Sequence, residues 1–222
     1  MVTYLVLVNI WDRVSIAFAS RGPPARTALM NLYHSPGACS LADHIALVET
    51  NLDYRLIAVD RQKRTDDGRD FRAINPKGYV PTLELDDGTV LTENVAILVW
   101  IAENGGALLP ETGLTRWRAL EASIFMATEI HGGMRPFFRA DAAQSEQARP
   151  KLVAHFALLA EQLGDAPFLL GDQMTIADPY LFWALKWAAT FGIDLPERLH
   201  AYYARLKKRP SVAQALSEEG IE

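Results

Sequence analysis

The chain has 222 residues, half of them hydrophobic and 22% charged, a composition typical of a globular protein with a substantial core. Its formal net charge of −5, without basic clusters, argues against a nucleic-acid partner, because phosphate binding requires concentrated Lys and Arg. The single cysteine, Cys39, excludes an intrachain disulfide, and no two of the five histidines have helical i, i+4 spacing. We therefore expect no metal site and a cytoplasmic location.

Residues 1–29 precede the first predicted element. Two apolar runs, 4–10 and 14–19, are separated by Asp12 and Arg13. The first run has no basic residue before it, unlike a secretory signal peptide, and both runs are too short to span a bilayer. We interpret residues 1–29 as a leader or a misassigned start, outside the fold.

From Met30 the pattern predicts a strand, a helix, a second strand, a short helix, a hairpin and a third helix. Ser40 followed by Asp43 resembles a capping box, and Thr92 is the expected cap of the third helix. This order fits an α/β sandwich with a mixed sheet. The predicted strands are 31–33, 54–60, 82–85 and 89–91, and the predicted helices are 40–50, 71–74 and 95–101.

A stretch rich in glycine and proline, 104–113, is the clearest break in the chain. No strand-like alternation follows it, so we expect one α/β domain at 30–108 and one all-helical domain at 113–222. The predicted helices of the second domain are 116–131, 146–163, 175–189 and 199–208.

Four short blocks carry the functional signal. They are Tyr33-His34-Ser35-Pro36-Gly37-Ala38-Cys39-Ser40, Asn75-Pro76-Lys77-Gly78-Tyr79-Val80-Pro81, Leu91-Thr92-Glu93-Asn94-Val95-Ala96-Ile97 and Gly171-Asp172-Gln173-Met174-Thr175-Ile176-Ala177-Asp178. In this order and spacing they resemble the bacterial beta-class glutathione transferases over residues 30–222. The resemblance implies a thioredoxin-like glutathione-binding domain followed by an all-α helical bundle, and a homodimer that works in detoxification.

Cys39 is the first candidate catalytic residue. A lone cysteine is by itself most often an inert, buried side chain, but a helix start directly after it favours a lowered thiol pKa. The resemblance implies that Cys39 contacts the glutathione sulfur and can form a mixed disulfide with it. Ser40 is the neighbouring hydroxyl donor expected to stabilise the glutathione thiolate.

The second and third blocks supply candidate glutathione-binding residues, Tyr79, Val80, Pro81, Glu93 and Asn94. Val80-Pro81 is either an ordinary trans turn or, as the resemblance implies, a cis step whose Val80 backbone pairs with the glutathione cysteinyl group. Glu93 and Asn94 stand at a predicted helix start, which is either a plain cap or an anion site for the γ-glutamyl carboxylate. In the second case, Glu93 is expected to bind the γ-glutamyl ammonium of glutathione.

The segment with Thr128, Glu129 and His131 resembles the family's helix that faces the active site. His131 is a candidate base or donor, although a lone histidine on an apolar helix is often structural. Ile124 and Gly132 depart from the family's usual polar residues at their positions. The resemblance also implies that Lys63, or alternatively Arg64, binds the glycyl carboxylate of glutathione. It further implies that Thr175 and Asp178 form a helix cap.

The expected reaction is attack of the glutathione thiolate on a hydrophobic electrophile, with glutathione as co-substrate. Three alternatives stay open: glutathione-dependent disulfide or peroxide reduction, reductive dehalogenation through Cys39, and a non-catalytic binding protein. The aromatic residues expected either to line the electrophile pocket or to fill the core are Phe137, Phe138, Trp183 and Trp187.

Overall fold

The computed structural model describes residues 29–221, and it contains one four-stranded sheet. The strand order is β2-β1-β3-β4, with β1 parallel to β2 and antiparallel to β3, and β3 antiparallel to β4. The predicted mixed sheet is confirmed. The interpretation of residues 1–29 falls on 1–28, which lie outside the described residues. The strands are β1 (Met30–His34), β2 (Tyr54–Ala58), β3 (Thr82–Glu84) and β4 (Val90–Thr92).

Helices surround the sheet and build the rest of the described chain. The predicted helix 116–131 is longer than expected and contains a π-helical segment, and a short helix at the C-terminal end was not predicted. The helices are α1 (Ser40–Thr50), α2 (Phe71–Ile74), α3 (Asn94–Gly105), α4 (Leu114–Phe125), the π-segment (Met126–His131), α5 (Gly132–Phe138), α6 (Ala142–Leu163), α7 (Ala177–Thr190), α8 (Glu197–Lys207) and α9 (Pro210–Glu218). Within residues 29–221, no helix has the length and apolar character that a membrane span requires.

The alternation of β1 separates two apolar layers. Because successive side chains of a strand point to opposite faces, Leu32 joins the large core that includes α1, α3 and α7, while Tyr33 packs with Phe71 of α2 on the other face. Helix α1 also contacts α9, so the first helix after the sheet's central strand is held by elements from both halves of the chain.

Two predicted helix caps are wrong. Helix α1 begins after Cys39, which makes no side-chain capping bond, and the Ser40 hydroxyl has no hydrogen-bond partner within residues 29–221. Helix α3 begins after Glu93, not Thr92, and Glu93 has a positive φ of 76° and no capping bond of its own. The reason is tertiary: the Asp43 carboxylate accepts from Asn94 of α3 instead of closing a box with Ser40.

The expected cap around Asp178 forms with a different donor pattern. The buried carboxylate accepts from the backbone N–H and the hydroxyl of Thr175, at 2.7 and 3.1 Å, whereas the Asp178 N–H bonds to the Thr175 carbonyl. It also accepts from the Leu169 N–H at 2.8 Å and the Tyr202 hydroxyl at 2.6 Å. One side chain therefore joins the start of α7 to the preceding loop and to α8.

We predict that Asp178→Ala lowers the free energy of unfolding by about 3–5 kcal/mol, because several buried donors lose their acceptor at once. Urea unfolding followed by circular dichroism measures the change. Asp172→Ala, an exposed aspartate six residues earlier, is the control and should change stability by less than about 0.5 kcal/mol. Equal effects of the two substitutions would contradict the role of Asp178.

Candidate active site

The loop before Cys39 is fixed by hydrogen bonds on both sides of the Gly37 residue. Its carbonyl accepts from the indole N–H groups of Trp183 and Trp187, at 3.2 and 2.7 Å, and its N–H donates to the Glu219 carboxylate at 2.8 Å. The φ of Gly37 is +71°, a conformation that glycine adopts without strain. Helix α7 and the C-terminal end of the chain thus set the path of the backbone into Cys39.

The Cys39 thiol lies at the N-terminal end of α1, partly buried. Its sulfur donates to the Val80 carbonyl at 3.6 Å, and the Val80–Pro81 peptide bond is cis, as the resemblance implied. The structure therefore brings Cys39 and Val80 together, although they are 41 residues apart in the chain.

The expected lowering of the thiol pKa is wrong. Burial, and then the nearby Asp43 carboxylate, raise the pKa of Cys39 to about 12. The backbone N–H groups of Cys39 and Ser40 at the helix start act in the opposite direction but are outweighed. Burial also raises the pKa of Asp43 well above its usual range, so the negative charge of Asp43 is reduced. The burial of the Cys39 thiol raises the thiol pKa even so. Cys39 is therefore a protonated donor at neutral pH.

The Asn94 side chain is turned inward. Its amide donates to the Cys39 carbonyl at 2.9 Å and to the Asp43 carboxylate at 2.8 Å. Both amide hydrogens are thus used to tie the start of α3 to the start of α1. A contact from Asn94 to a bound ligand has to come from its backbone N–H.

Glu93 lies at the surface in a small charged group. Its Oε1 accepts from the Lys77 ammonium at 2.6 Å and from the Tyr79 hydroxyl at 2.8 Å. These two hydrogen bonds, with that from Lys77 the larger, hold the pKa of Glu93 below its usual value. The Glu93 carboxylate is therefore ionised and adjacent to the first N–H groups of α3. The sequence predicted that the ammonium and the carboxylate of a γ-glutamyl group bind at this position.

His131 is the last residue of the π-segment, and its Nδ1 lies 3.0 Å from the Tyr180 hydroxyl. Burial, assisted by the positive charge of Arg135, lowers the pKa of His131 to about 4, so the ring is neutral at pH 7. Burial raises the pKa of Tyr180, followed in size by repulsion from Cys39, Asp43 and Glu93 in their ionised forms. The Tyr180 hydroxyl is therefore protonated at pH 7, and its hydrogen bond with Nδ1 is compatible with either tautomer of the neutral His131 ring.

The remaining predicted residues are more dispersed. Ser40 is fully buried under the start of α1. Lys63, with a φ of 67°, and Arg64 lie in the loop 60–70, and neither side chain forms an ion pair with residues 29–221. Thr128 bonds to the carbonyl one turn before it, and Glu129 pairs with Lys151 at 2.7 Å. No described contact joins Thr128 or Glu129 to the Cys39 group.

Several aromatic side chains extend from the loop that contains Gly37 toward solvent. The Phe138 ring lies 4.9 Å from the Trp187 ring and 5.1 Å from the Phe191 ring, and 41% of Phe138 is exposed. Trp183 is buried, and its ring lies 4.5 Å from the His131 ring in a tilted contact. Of the four aromatic residues singled out from sequence, Trp183 belongs to the core, whereas Phe138 and Trp187 border an accessible surface beside the loop.

A separate cleft of about 700 Å³ lies at the outer edge of β2, between that strand and α9, and its lining does not include Cys39. In the described part of the chain, no group of three or more His, Cys, Asp or Glu side chains is placed to hold a metal ion. This cleft is thus separate from the group formed by Cys39, Val80 and Glu93.

Sequence reasoning missed Tyr180 and Glu219. Tyr180 adjoins the matched block at 171–178 and lies three residues before Trp183, which places both on one face of α7. That spacing was a usable signal. The sequence around Glu219 gave no comparable signal, because the contact of Glu219 with Gly37 joins residues 182 apart in the chain.

Comparisons with known proteins agree with this geometry. The family described as "Glutathione S-transferase, N-terminal domain" matches residues 38–104, and "Glutathione S-transferase, C-terminal domain" matches residues 142–205. The chain is 41% identical over 201 residues to a protein of Escherichia coli O157:H7 named glutathione S-transferase GstA, covering 87% of this chain and 100% of that one.

Two solved structures are similar throughout. A sphingomonad glutathione S-transferase complexed with glutathione is 38% identical with a TM-score of 0.81, covering 86% of this chain and 100% of that chain. A bacterial beta-class glutathione S-transferase of Sphingomonas chungbukensis is 39% identical with the same TM-score and the same coverage.

The raised thiol pKa predicts how Cys39 responds to alkylation. Because only the thiolate reacts, the rate with iodoacetamide should rise about tenfold per pH unit from pH 7 to 10 without reaching a plateau. Mass spectrometry measures the modification at this one cysteine, and Cys39→Ser is the unreactive control. A plateau below pH 9 would show that the thiol is acidic after all.

Proposed function

This chain belongs to the glutathione S-transferase family, and we propose that it joins the glutathione thiolate to hydrophobic electrophiles to give thioethers. The Cys39 thiol that donates to the Val80 carbonyl at 3.6 Å is the observation that carries this proposal, and burial, which raises the pKa of Cys39 to about 12, favours the same donor role. A donor at that position stabilises the thiolate of glutathione, whereas disulfide exchange needs Cys39 itself as a thiolate. On an aryl chloride, the sulfur–carbon bond forms, the carbon–chlorine bond breaks, chloride leaves with the electron pair, and the thiol proton of glutathione passes to water.

In the proposed site, glutathione is bound by the Val80 backbone, by Glu93 and by the start of α3. The Val80 backbone next to Pro81 takes the cysteinyl part, with the Val80 carbonyl released from Cys39 as the ligand enters. Both described hydrogen bonds of Glu93 use Oε1, which leaves Oε2 for the γ-glutamyl ammonium, while Tyr79 fixes the carboxylate's orientation. The first N–H groups of α3, including that of Asn94, take the γ-carboxylate.

Further residues complete the proposed site. Lys63 or Arg64 takes the glycyl carboxylate, since neither has an ionic partner within residues 29–221. The neutral His131 acts through a ring N–H as a donor, not as a base, because its pKa of about 4 makes it a weak proton acceptor. Ser40, Thr128 and Glu129 stay predicted contacts, with Ser40 needing a small shift of α1 to reach a ligand.

The proposed protein is a cytoplasmic homodimer that serves detoxification. Three large apolar side chains lie exposed on one face of α4: Leu114, Trp117 and Ile124, with exposed fractions of 68%, 64% and 53%. Such a stripe supports a two-fold interface between copies of this chain. Sedimentation velocity at micromolar concentration tests this, and a monomer would contradict it.

We predict that Glu93→Gln raises KM for glutathione about tenfold, with kcat changed by less than about twofold, because the lost charge contacts only the ammonium end of the substrate. Steady-state kinetics with 1-chloro-2,4-dinitrobenzene measures both constants. Glu161→Gln, on the exposed side of α6, is the matched control. A fall in kcat with unchanged KM would contradict the proposed role.

We predict that Cys39→Ser separates the two candidate activities. Conjugation of 1-chloro-2,4-dinitrobenzene should persist at about a tenth of the wild-type rate, since serine keeps a donor, while reduction of a glutathione mixed disulfide should fall at least about 100-fold. Cys39→Ala, which has no donor, should conjugate more slowly than Cys39→Ser.

Loss of both activities in Cys39→Ser would favour the oxidoreductase instead. If the wild-type protein conjugates nothing, reduces nothing and is not retained on immobilised glutathione, it is not an enzyme of this class.

A further inference from the structure

Two arginines lie near an exposed aromatic ring at the C-terminal end of α5. Arg135 and Phe138 are three residues apart within the helix, and Arg139, which caps it, follows four residues after Arg135, so the three side chains lie on one side of the last turn. The Phe138 ring contacts the rings of Trp187 and Phe191, which shows that this face turns toward α7. Both arginines are exposed.

This surface is continuous with the loop that positions Cys39. The Trp187 indole that packs against Phe138 also donates to the Gly37 carbonyl at 2.7 Å, two residues before Cys39. Phe138 also lies 6.2 Å from the His131 ring, so this aromatic surface borders both the loop before Cys39 and His131.

Arg135, Arg139 and Lys186 supply positive charge near this surface. Lys186 holds its ammonium 5.6 Å from the centre of the Trp187 ring. Within residues 29–221, no carboxylate lies within 4.0 Å of the charged groups of Arg135, Arg139 or Lys186, whereas neighbouring Arg149 is paired with Glu146 at 2.9 Å. The positive charge of Arg135 also acts on His131, which places it near the reacting groups.

These three cations lie around one aromatic surface in a chain of net charge −5. Cations without an ion-pair partner are common elsewhere in residues 29–221, as at Lys207 and Lys208, so what distinguishes Arg135, Arg139 and Lys186 is the aromatic surface beside them. A local positive potential over an aromatic surface attracts an anion that carries a flat ring.

We propose that the electrophile site selects aromatic acceptors that carry an anionic group, such as a carboxylate. The ring lies on Phe138 and Trp187, and the anionic group lies among Arg135, Arg139 and Lys186. This inference rests on the proposed conjugating function and specifies its substrate class. The carboxylate takes no part in bond making: the glutathione sulfur replaces chloride on the ring, and chloride leaves with the bonding electrons.

The test compares two substrates that share a ring and a leaving group, 4-chloro-3-nitrobenzoate and its methyl ester. Each rate is divided by the uncatalysed rate with glutathione, because the ester is intrinsically more reactive. The test variant is Arg135→Gln/Arg139→Gln, and the control is Lys207→Gln/Lys208→Gln, which removes the same charge from an exposed end of α8.

The wild-type enzyme should favour the carboxylate over the ester after this correction. The test variant should lower kcat/KM for the carboxylate about tenfold and for the ester less than about twofold, and the control should change neither by more than about twofold. Arg135→Lys/Arg139→Lys should restore most of the loss. At saturating glutathione, raising the salt concentration should slow the carboxylate reaction more than the ester reaction.

The inference is overturned if the ester is converted and the carboxylate is not preferred, or if the test variant affects both substrates equally. In either case turnover of the ester leaves the conjugating function intact. If the wild-type protein converts neither these substrates nor 1-chloro-2,4-dinitrobenzene, the proposed function fails and this inference fails with it.

Discussion

The hydrogen bonds on Gly37 are the constraint on which the rest of the site depends. Two indole N–H groups of α7 hold its carbonyl, and Glu219 after α9 holds its N–H. A residue whose N–H and C=O are both held cannot rotate without breaking buried hydrogen bonds, which is costly. Cys39, two residues later and our proposed site residue, therefore takes its position from the second half of the chain.

Burial then decides what the thiol can do. The N-terminal end of a helix stabilises a thiolate, but the apolar surroundings of Cys39 and the adjacent Asp43 outweigh that effect. The same burial keeps His131 neutral and the Tyr180 hydroxyl protonated. Cys39, His131 and Tyr180 are thus neutral groups, which fits the proposed stabilisation of a glutathione thiolate better than exchange through Cys39.

Local pattern was sufficient for most elements of the fold. Strand alternation and turn residues predicted the hairpin from 82 to 91, and helix α1 was predicted with its observed ends. The caps at Ser40 and Thr92 were wrong because local capping preferences compete with tertiary partners, and Asp43 bonds to Asn94 instead. The π-segment shifts the helical phase just before His131, so a regular period could not predict the orientation of that side chain.

The sequence by itself determined the family resemblance and the order of most strands and helices, since these follow from short motifs and periodicity, and the resemblance implied the cis Val80–Pro81 step. Only the tertiary structure decided the protonation of Cys39, the inward turn of Asn94 and the contact between Glu219 and Gly37. Each of these depends on burial or on partners far away in the chain. Solvent exclusion and long-range contacts exist only once the chain has folded, and so no local pattern encodes them.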